Sequence, residues 1–293
     1  MAKPFNVILV QPAGYAFSLA LMEAAEYVVA MLRACGCEAQ VVVNSLREDA
    51  HNVLFCGHLM NRGDVAQLPA DTIVFNSEPL ARQDTWHLGS EVYREALARH
   101  RVWDYAQRNL DAVPHARKDL LPFWYCRDLV RPRAAASEGK ALLFYGVPTP
   151  WRRALLAEIA AAGVEVQFMH NGFGAQRDAV MWNAWAVLNL HKTEDNAVFE
   201  PIRCFYPLTN RVAVISEDVQ GDAAADAFRD AMFFFPRGEI ASAVRALRDD
   251  ADGFRAATAN QFDSFERKSA VAHFHAALDR YFEELTPRER GGT

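Results

Sequence analysis

The chain has no stretch approaching the ~18 uninterrupted apolar residues of a membrane span. Its first apolar run starts at Phe5 and stops before Gln11, too short and too early for a signal peptide. A soluble, cytoplasmic protein with no transmembrane segment is expected. Cysteine is scarce: the five thiols, Cys35, Cys37, Cys56, Cys126 and Cys204, are odd in number and lack CxxC or Cys/His zinc spacing. They read as reduced, with neither a disulfide nor a metal role. Positive charge is not in surplus either. With 31 Lys+Arg against 37 Asp+Glu the net charge is -6, leaving no excess to neutralise phosphates, which argues against nucleic acid as the main partner. Also missing are GxGxxG after the first strand, GxxxxGK[ST], HExxH and GxSxG, the signatures of a dinucleotide fold, a P-loop, a zinc protease and a nucleophile elbow. The one DxD, Asp250-Ala-Asp252, falls among C-terminal helices and reads as solvated surface.

What is present is an ordinary globular composition, 51% hydrophobic and 23% charged over 293 residues, a length that suits two domains of about 150 residues each. Asn6–Val10 is a β-branched run of the kind buried on both faces of a parallel sheet. Phe17–Ala34 follows at helical spacing and stops at Gly36, then Ala39–Val43, Asn52–Cys56 and Thr72–Phe75 read as further strands. Glu91–His100 and Val102–Leu110 read as helices and Leu120–Tyr125 as a last strand. Arg131–Lys140, poor in large apolar residues, reads as an exposed linker. A second βαβ series then begins. Its strands are Ala141–Tyr145, Val164–Met169, Ala186–Leu190 and Val212–Ser216, and its helices are Trp151–Ala162, a short one near Arg177–Trp182, and Phe199–Leu208. From Gly238 the pattern is helical and amphipathic, and Thr286–Thr293 reads as a frayed tail. The expected fold is α/β: two Rossmann-like domains facing a cleft, residues 1–133 and 140–237, with helices 238–286 packing back across them.

Ligands of open parallel sheets sit beyond the strand carboxyl ends, so candidates are read from the residues that follow each strand. Gly146 precedes a helix whose start carries Arg152 and Arg153. Backbone donors and the dipole favour an anion there, and two guanidinium groups suit a diphosphate, although either could lie on a solvated face. Asn171 follows the next strand. The densest polar cluster is Asn189, His191 and Lys192 with Glu200 and Arg203. Glu200 could accept both hydroxyls of a ribose or simply cap a helix, and His191 could equally be a structural histidine. His58 and Glu78, after strands of the first half, are candidates for a general base, against a bland structural role for each. Asp104 reads as a helix N-cap.

Asn76-Ser-Glu78-Pro-Leu80, Val102-Trp-Asp-Tyr105 with Asn109, Phe144-Tyr-Gly146 with Arg152-Arg153, Val187-Leu-Asn-Leu-His191, Phe199-Glu-Pro-Ile-Arg203 and Ala213-Val-Ile-Ser-Glu217 together resemble a group of bacterial glycosyltransferase-like proteins of the GT-B fold. The resemblance implies a nucleotide-sugar donor held mainly by the second domain, an unidentified acceptor held mainly by the first, and no obligatory metal or other cofactor. It makes Glu200 the donor-ribose carboxylate, Arg152 or Arg153 the diphosphate ligand, and Asn189–Lys192 the pocket lining. Two features depart from the family pattern: Glu200 and Glu217 stand 17 positions apart instead of eight, and Gln11–Gly14 lacks a His or Asp. A catalytically silent nucleotide- or glycan-binding protein of the same fold is the alternative these departures favour. An unrelated NAD-using or phosphate-processing enzyme is the other, though it would lack its glycine fingerprint.

Overall fold

The computed structural model describes residues 3–80, 90–132, 139–194 and 198–286. The middle of the expected linker, 133–138, and the tail beyond Thr286 lie outside the described residues. The first sheet comprises β1 (Phe5–Leu9), β2 (Ala39–Val43), β3 (His51–Phe55), β4 (Ile73–Phe75), β5 (Arg101–Asp104) and β6 (Lys118–Leu120), in the order β2-β1-β3-β4-β5-β6. The second comprises β7 (Leu142–Tyr145), β8 (Val166–Met169), β9 (Ala186–Asn189), β10 (Val214–Glu217) and β11 (Phe233–Phe235), in the order β11-β10-β9-β7-β8. Every pairing is parallel. All carboxyl ends of a sheet therefore lie along one edge, which is where loops and helix starts converge.

Central strands β1 and β3 are buried along their whole length, which is why their sequences are apolar on both faces instead of alternating. The polar exceptions are Asn6, Asn52 and His51: Asn6 Nδ2 donates to Asn52 Oδ1 at 3.1 Å, and His51 Nδ1 meets the Tyr281 hydroxyl at 2.9 Å. The helix Met22–Ala34 covers the first sheet and is preceded by a 3-10 turn at Ala16–Leu21. Beyond its end Gly36 takes a φ of 82°, a conformation that costs glycine no Cβ clash.

Three expectations are corrected. Val102–Leu110 is not one helix: its start is strand β5, and a short helix follows at Gln107–Asp111. The last strand of the first sheet is Lys118–Leu120, not Leu120–Tyr125. Phe199–Leu208 is broken into a 3-10 turn at Pro201–Arg203 and a helix at Phe205–Thr209, as Pro201 and Pro207 each remove a donor.

The C-terminal helices divide between the sheets. In Ile240–Asp249 and Ala251–Glu266, the residues Ile240, Val244 and Phe254 share a core with Leu142, Phe144 and Leu188 of the second sheet. Val271–Leu285 lies instead on the first half, with Phe274 edge-on to Tyr27 and Trp103 at 6.2 and 5.9 Å. A buried ionic cluster fastens it there. Asp119, fully shielded at the end of this sheet, accepts from Arg101, from the Trp103 indole at 3.1 Å and from Arg280 Nε at 2.6 Å. Arg101 also reaches Glu284 of that last helix.

Candidate functional site

The carboxyl ends of both sheets border one cavity of about 400 Å³. From the first half it is lined by Tyr15 and Phe17 after β1, His58 after β3, Glu78 after β4 and Tyr105 after β5; the second half contributes Gly146 and Arg152, His170, Lys192, Glu200 and Arg203.

In the second half the wall is built around Gly146. Its φ is 140°, and a Cβ there would stand 3.1 Å from an Arg203 Nη, so a side chain would meet both backbone strain and a guanidinium. The helix Pro150–Ala161 then starts from Thr149, whose hydroxyl accepts the Arg152 N–H at 3.3 Å, with proline at the first helical position. Arg152 is 3% exposed. Its guanidinium donates to the Leu190, His191 and Val147 carbonyls at 2.9–3.1 Å and pairs with no carboxylate among the described residues. Burial, and then the positive charge of Arg203, push its pKa down to about 9. Such a cation gains most from an anion entering the cavity. Arg203 donates to the Tyr145 carbonyl at 2.7 Å, while its buried Nε has no partner among the described residues. Lys192 stands exposed at the margin. Glu200 occupies the cap position of the Pro201–Arg203 turn but makes no side-chain cap bond, and it borders the cavity.

Four other candidates lie elsewhere. Arg153 is exposed and donates to the Pro148 carbonyl; adjacent helical residues point about 100° apart, so only one of the two arginines can face the cavity. Asn171 sits on an exposed turn outside the lining. Asn189 is buried between strands, donating to Ser216 Oγ at 3.0 Å. His191 follows the end of β9, so the alternation that would have paired it with Asn189 has stopped. Its N–H donates to Glu217 at 2.5 Å, and its side chain borders a second, separate depression with Trp151 and Arg237. Glu217 is itself occupied, accepting from Trp151 Nε1 at 3.0 Å; it braces the loop after β9 and does not line the main cavity.

The wall from the first half carries the two remaining candidates in contact: His58 Nδ1 lies 3.6 Å from Glu78 Oε1. Cys56, at φ 59°, turns the chain so that the Gly57–Leu59 turn projects His58 inward. The loop bearing Glu78 is held by a buried polar network. Asn76 Nδ2 donates to the Glu78 carbonyl at 2.7 Å and to Asp104 at 2.6 Å, and Asn109 donates to Asp104 at 3.1 Å while accepting the Leu80 N–H at 2.8 Å. Asp104, read as a cap, does accept the Ala106 N–H at 2.8 Å, but its larger role is to anchor these two asparagines. Burial pushes it up to about 7. Asn109→Ala removes contacts on both sides of the loop and leaves a buried carboxyl short of a donor; a loss of about 1–3 kcal/mol is expected in denaturant unfolding. Glu78 itself is pushed up to about 8 by burial and then by the negative charge of Glu200, with Lys192 opposing. A carboxyl tuned near neutrality in a cleft is suited to proton transfer.

Sequence reasoning missed the aromatic lining, Tyr15, Phe17, Tyr145 and Phe173, and it missed Arg177. That arginine reaches Glu23 of the first half at 2.8 Å and Asp178 at 2.7 Å, lies over the Tyr206 ring at 4.5 Å, and borders the same cavity. A pair 154 residues apart leaves no local signal. No group of three or more His, Cys, Asp or Glu suited to a metal occurs among the described residues, and among them no helix is long and apolar enough to cross a membrane.

No family model and no curated protein matches the chain. Solved structures do. T4 phage BGT in complex with UDP and Mn2+ aligns at a TM-score of 0.58 and 12% identity over 96% of this chain and 99% of that one. WaaG, a glycosyltransferase involved in lipopolysaccharide biosynthesis, aligns at 0.55 and 12% over 98% and 100%. HepE of Anabaena in complex with UDP-glucose aligns at 0.55 and 10% over 96% and 99%. At these identities the likeness establishes the fold: two parallel sheets in the GT-B arrangement.

Proposed function

We propose that this chain is a glycosyltransferase that moves a sugar from a nucleotide-sugar donor to an acceptor hydroxyl. The observation that carries the reading is the division of charge in the cavity. Arg152, Arg203 and Lys192, each without a carboxylate partner among the described residues, stand with Glu200 on the side of the second sheet, while His58 and Glu78 come from the first. The cations match a diphosphate and Glu200 matches a ribose diol, which supports a donor held by the second half, and a base from the first half supports an acceptor held there. In the transfer, the acceptor O–H gives its proton to Glu78 as its oxygen bonds to the anomeric carbon. The bond from that carbon to the diphosphate breaks, and its electron pair leaves with the nucleoside diphosphate, whose growing charge the three cations stabilise.

Two of the similar structures hold UDP or UDP-glucose, so uridine nucleotides are the first to test. In calorimetric titration, Glu200→Ala is expected to weaken binding of the preferred nucleotide by about 1–3 kcal/mol through loss of charge-assisted hydrogen bonds. Unchanged affinity in the folded variant would remove Glu200 from the donor site. Metal independence belongs to the same reading: the cations already supply the counter-charge, so EDTA is expected to leave nucleotide affinity unchanged, and a requirement for Mn²⁺ would refute that part.

A further inference from the structure

The cavity holds a second chemistry that nucleotide binding does not use. Tyr15 and Phe17, at the start of the 3-10 turn after β1, form a chain of rings with His170 and Phe173, which follow β8: Tyr15 to Phe17 at 5.4 Å, Phe17 to His170 at 5.5 Å, and Phe17 edge-on to Phe173 at 6.0 Å. All four line the cavity, and Tyr15 remains 39% exposed. Leu21 and Leu59 extend the apolar surface on the first-half side. The ionisable groups there complete the contrast. Among the described residues up to 132, no Lys or Arg borders the cavity; the charged or titratable lining residues of that half besides its tyrosines and Cys56 are Glu23, already bound to Arg177, and the pair His58 and Glu78. The cations of the lining, Arg152, Arg177, Lys192 and Arg203, all come from the second half.

Resting on the sugar-transfer reading above, we propose that the acceptor is an uncharged hydroxyl compound with a flat apolar face, an aryl glycoside or aryl alcohol, seated against Tyr15, Phe17 and Phe173. An anionic acceptor such as a sugar phosphate or uronate would approach Glu200 and, in the form competent to take the proton, the ionised Glu78, while the cations are engaged by the donor's diphosphate, and like charges at that spacing reject a ligand. A flat apolar face instead displaces water from rings that are otherwise left wet. The balance of the step is unchanged: the acceptor O–H proton passes to Glu78, its oxygen takes the sugar, and the nucleoside diphosphate leaves with the bonding pair.

The test separates the two readings by measuring the donor first. Nucleotide affinity and release of nucleoside diphosphate into water, without acceptor, are followed for UDP-, GDP- and ADP-sugars. With the donor that is used, a p-nitrophenyl glycoside, the free sugar, its 6-phosphate and a uronate are then compared as acceptors. The aryl glycoside is expected to exceed the free sugar by about tenfold or more in kcat/KM, with the two anions below both. Tyr15→Ala and Phe17→Ala are each expected to raise KM for the aryl glycoside about tenfold while nucleotide Kd stays at the parent value. Free sugar or sugar phosphate matching the aryl glycoside, or a parental KM in both variants, overturns the acceptor class and leaves the donor reading standing. Failure of every nucleotide to bind overturns both.

Discussion

Glu78→Gln should lower the rate of transfer by about 10²–10⁴, the usual contribution of a positioned base, with nucleotide affinity unchanged or slightly improved. The amide keeps the shape of the side chain but cannot take the acceptor proton. Because burial and the charge of Glu200 hold the Glu78 pKa near 8, the basic form accumulates only as the pH passes that value, and kcat/KM should rise through about 8. Lys192 opposes that shift, so Lys192→Met should move the limb to higher pH. Stability follows the opposite course. A carboxyl raised from 4.5 to about 8 in the folded chain binds more protons there than in the unfolded chain. Its stabilising contribution is therefore complete below about 4.5 and is lost as the pH rises through about 8; the Gln variant should lack that slope. Full transfer in Glu78→Gln combined with none in His58→Ala would assign the base to the imidazole.

Arg177→Met should cost about 3–5 kcal/mol in denaturant unfolding, the penalty of stranding a buried charge. Glu23, 7% exposed, would lose the guanidinium at 2.8 Å, and the Tyr206 ring would lose the cation above it. The double variant Arg177→Met with Glu23→Leu should recover the part of that loss that comes from stranding Glu23, since an ion pair replaced by apolar groups is often neutral, while Asp178, which also loses the guanidinium at 2.7 Å, keeps its bond from the Tyr206 hydroxyl. Equal losses in single and double variants would mean that the pair contributes by packing alone. Because the pair spans the two halves, the single variant should also loosen the cavity and weaken nucleotide binding.

The sequence announced those elements whose local pattern and tertiary setting agree. Asn6–Val10 and Ala39–Val43 lie within a residue of β1 and β2, and Gly36 does end its helix. Val102–Leu110 misled because Trp103, Tyr105, Ala106 and Leu110 also fit a helical spacing, whereas burial on both faces next to β4 selects a strand. Phe233–Phe235 escaped notice as a strand three residues long, ended by Pro236. That Glu78, Arg152, Glu200 and Arg203 border the cavity was legible because a parallel sheet places whatever follows its strands at one edge. Helix phase chose Arg152 over Arg153, and a hydrogen bond to Ser216 withdrew Asn189; neither can be read without knowing what packs against them. The ring chain and the Glu23–Arg177 pair join segments more than a hundred residues apart, beyond any local pattern.

The Asp119 cluster bears on how the chain is made. The ribosome releases β1, β5 and β6 long before Val271–Leu285, yet Phe274 and Tyr281 of that helix cover Tyr27, Trp103 and Phe5, and Arg280 supplies a further donor to Asp119. The first-born half thus waits, with an apolar flank open and the Asp119 carboxylate one donor short, until Val271–Leu285 has emerged. Vectorial synthesis here delivers the second half's sheet before the first half can close, and the nascent N-terminal half is the stage at which a holdase chaperone has most to shield.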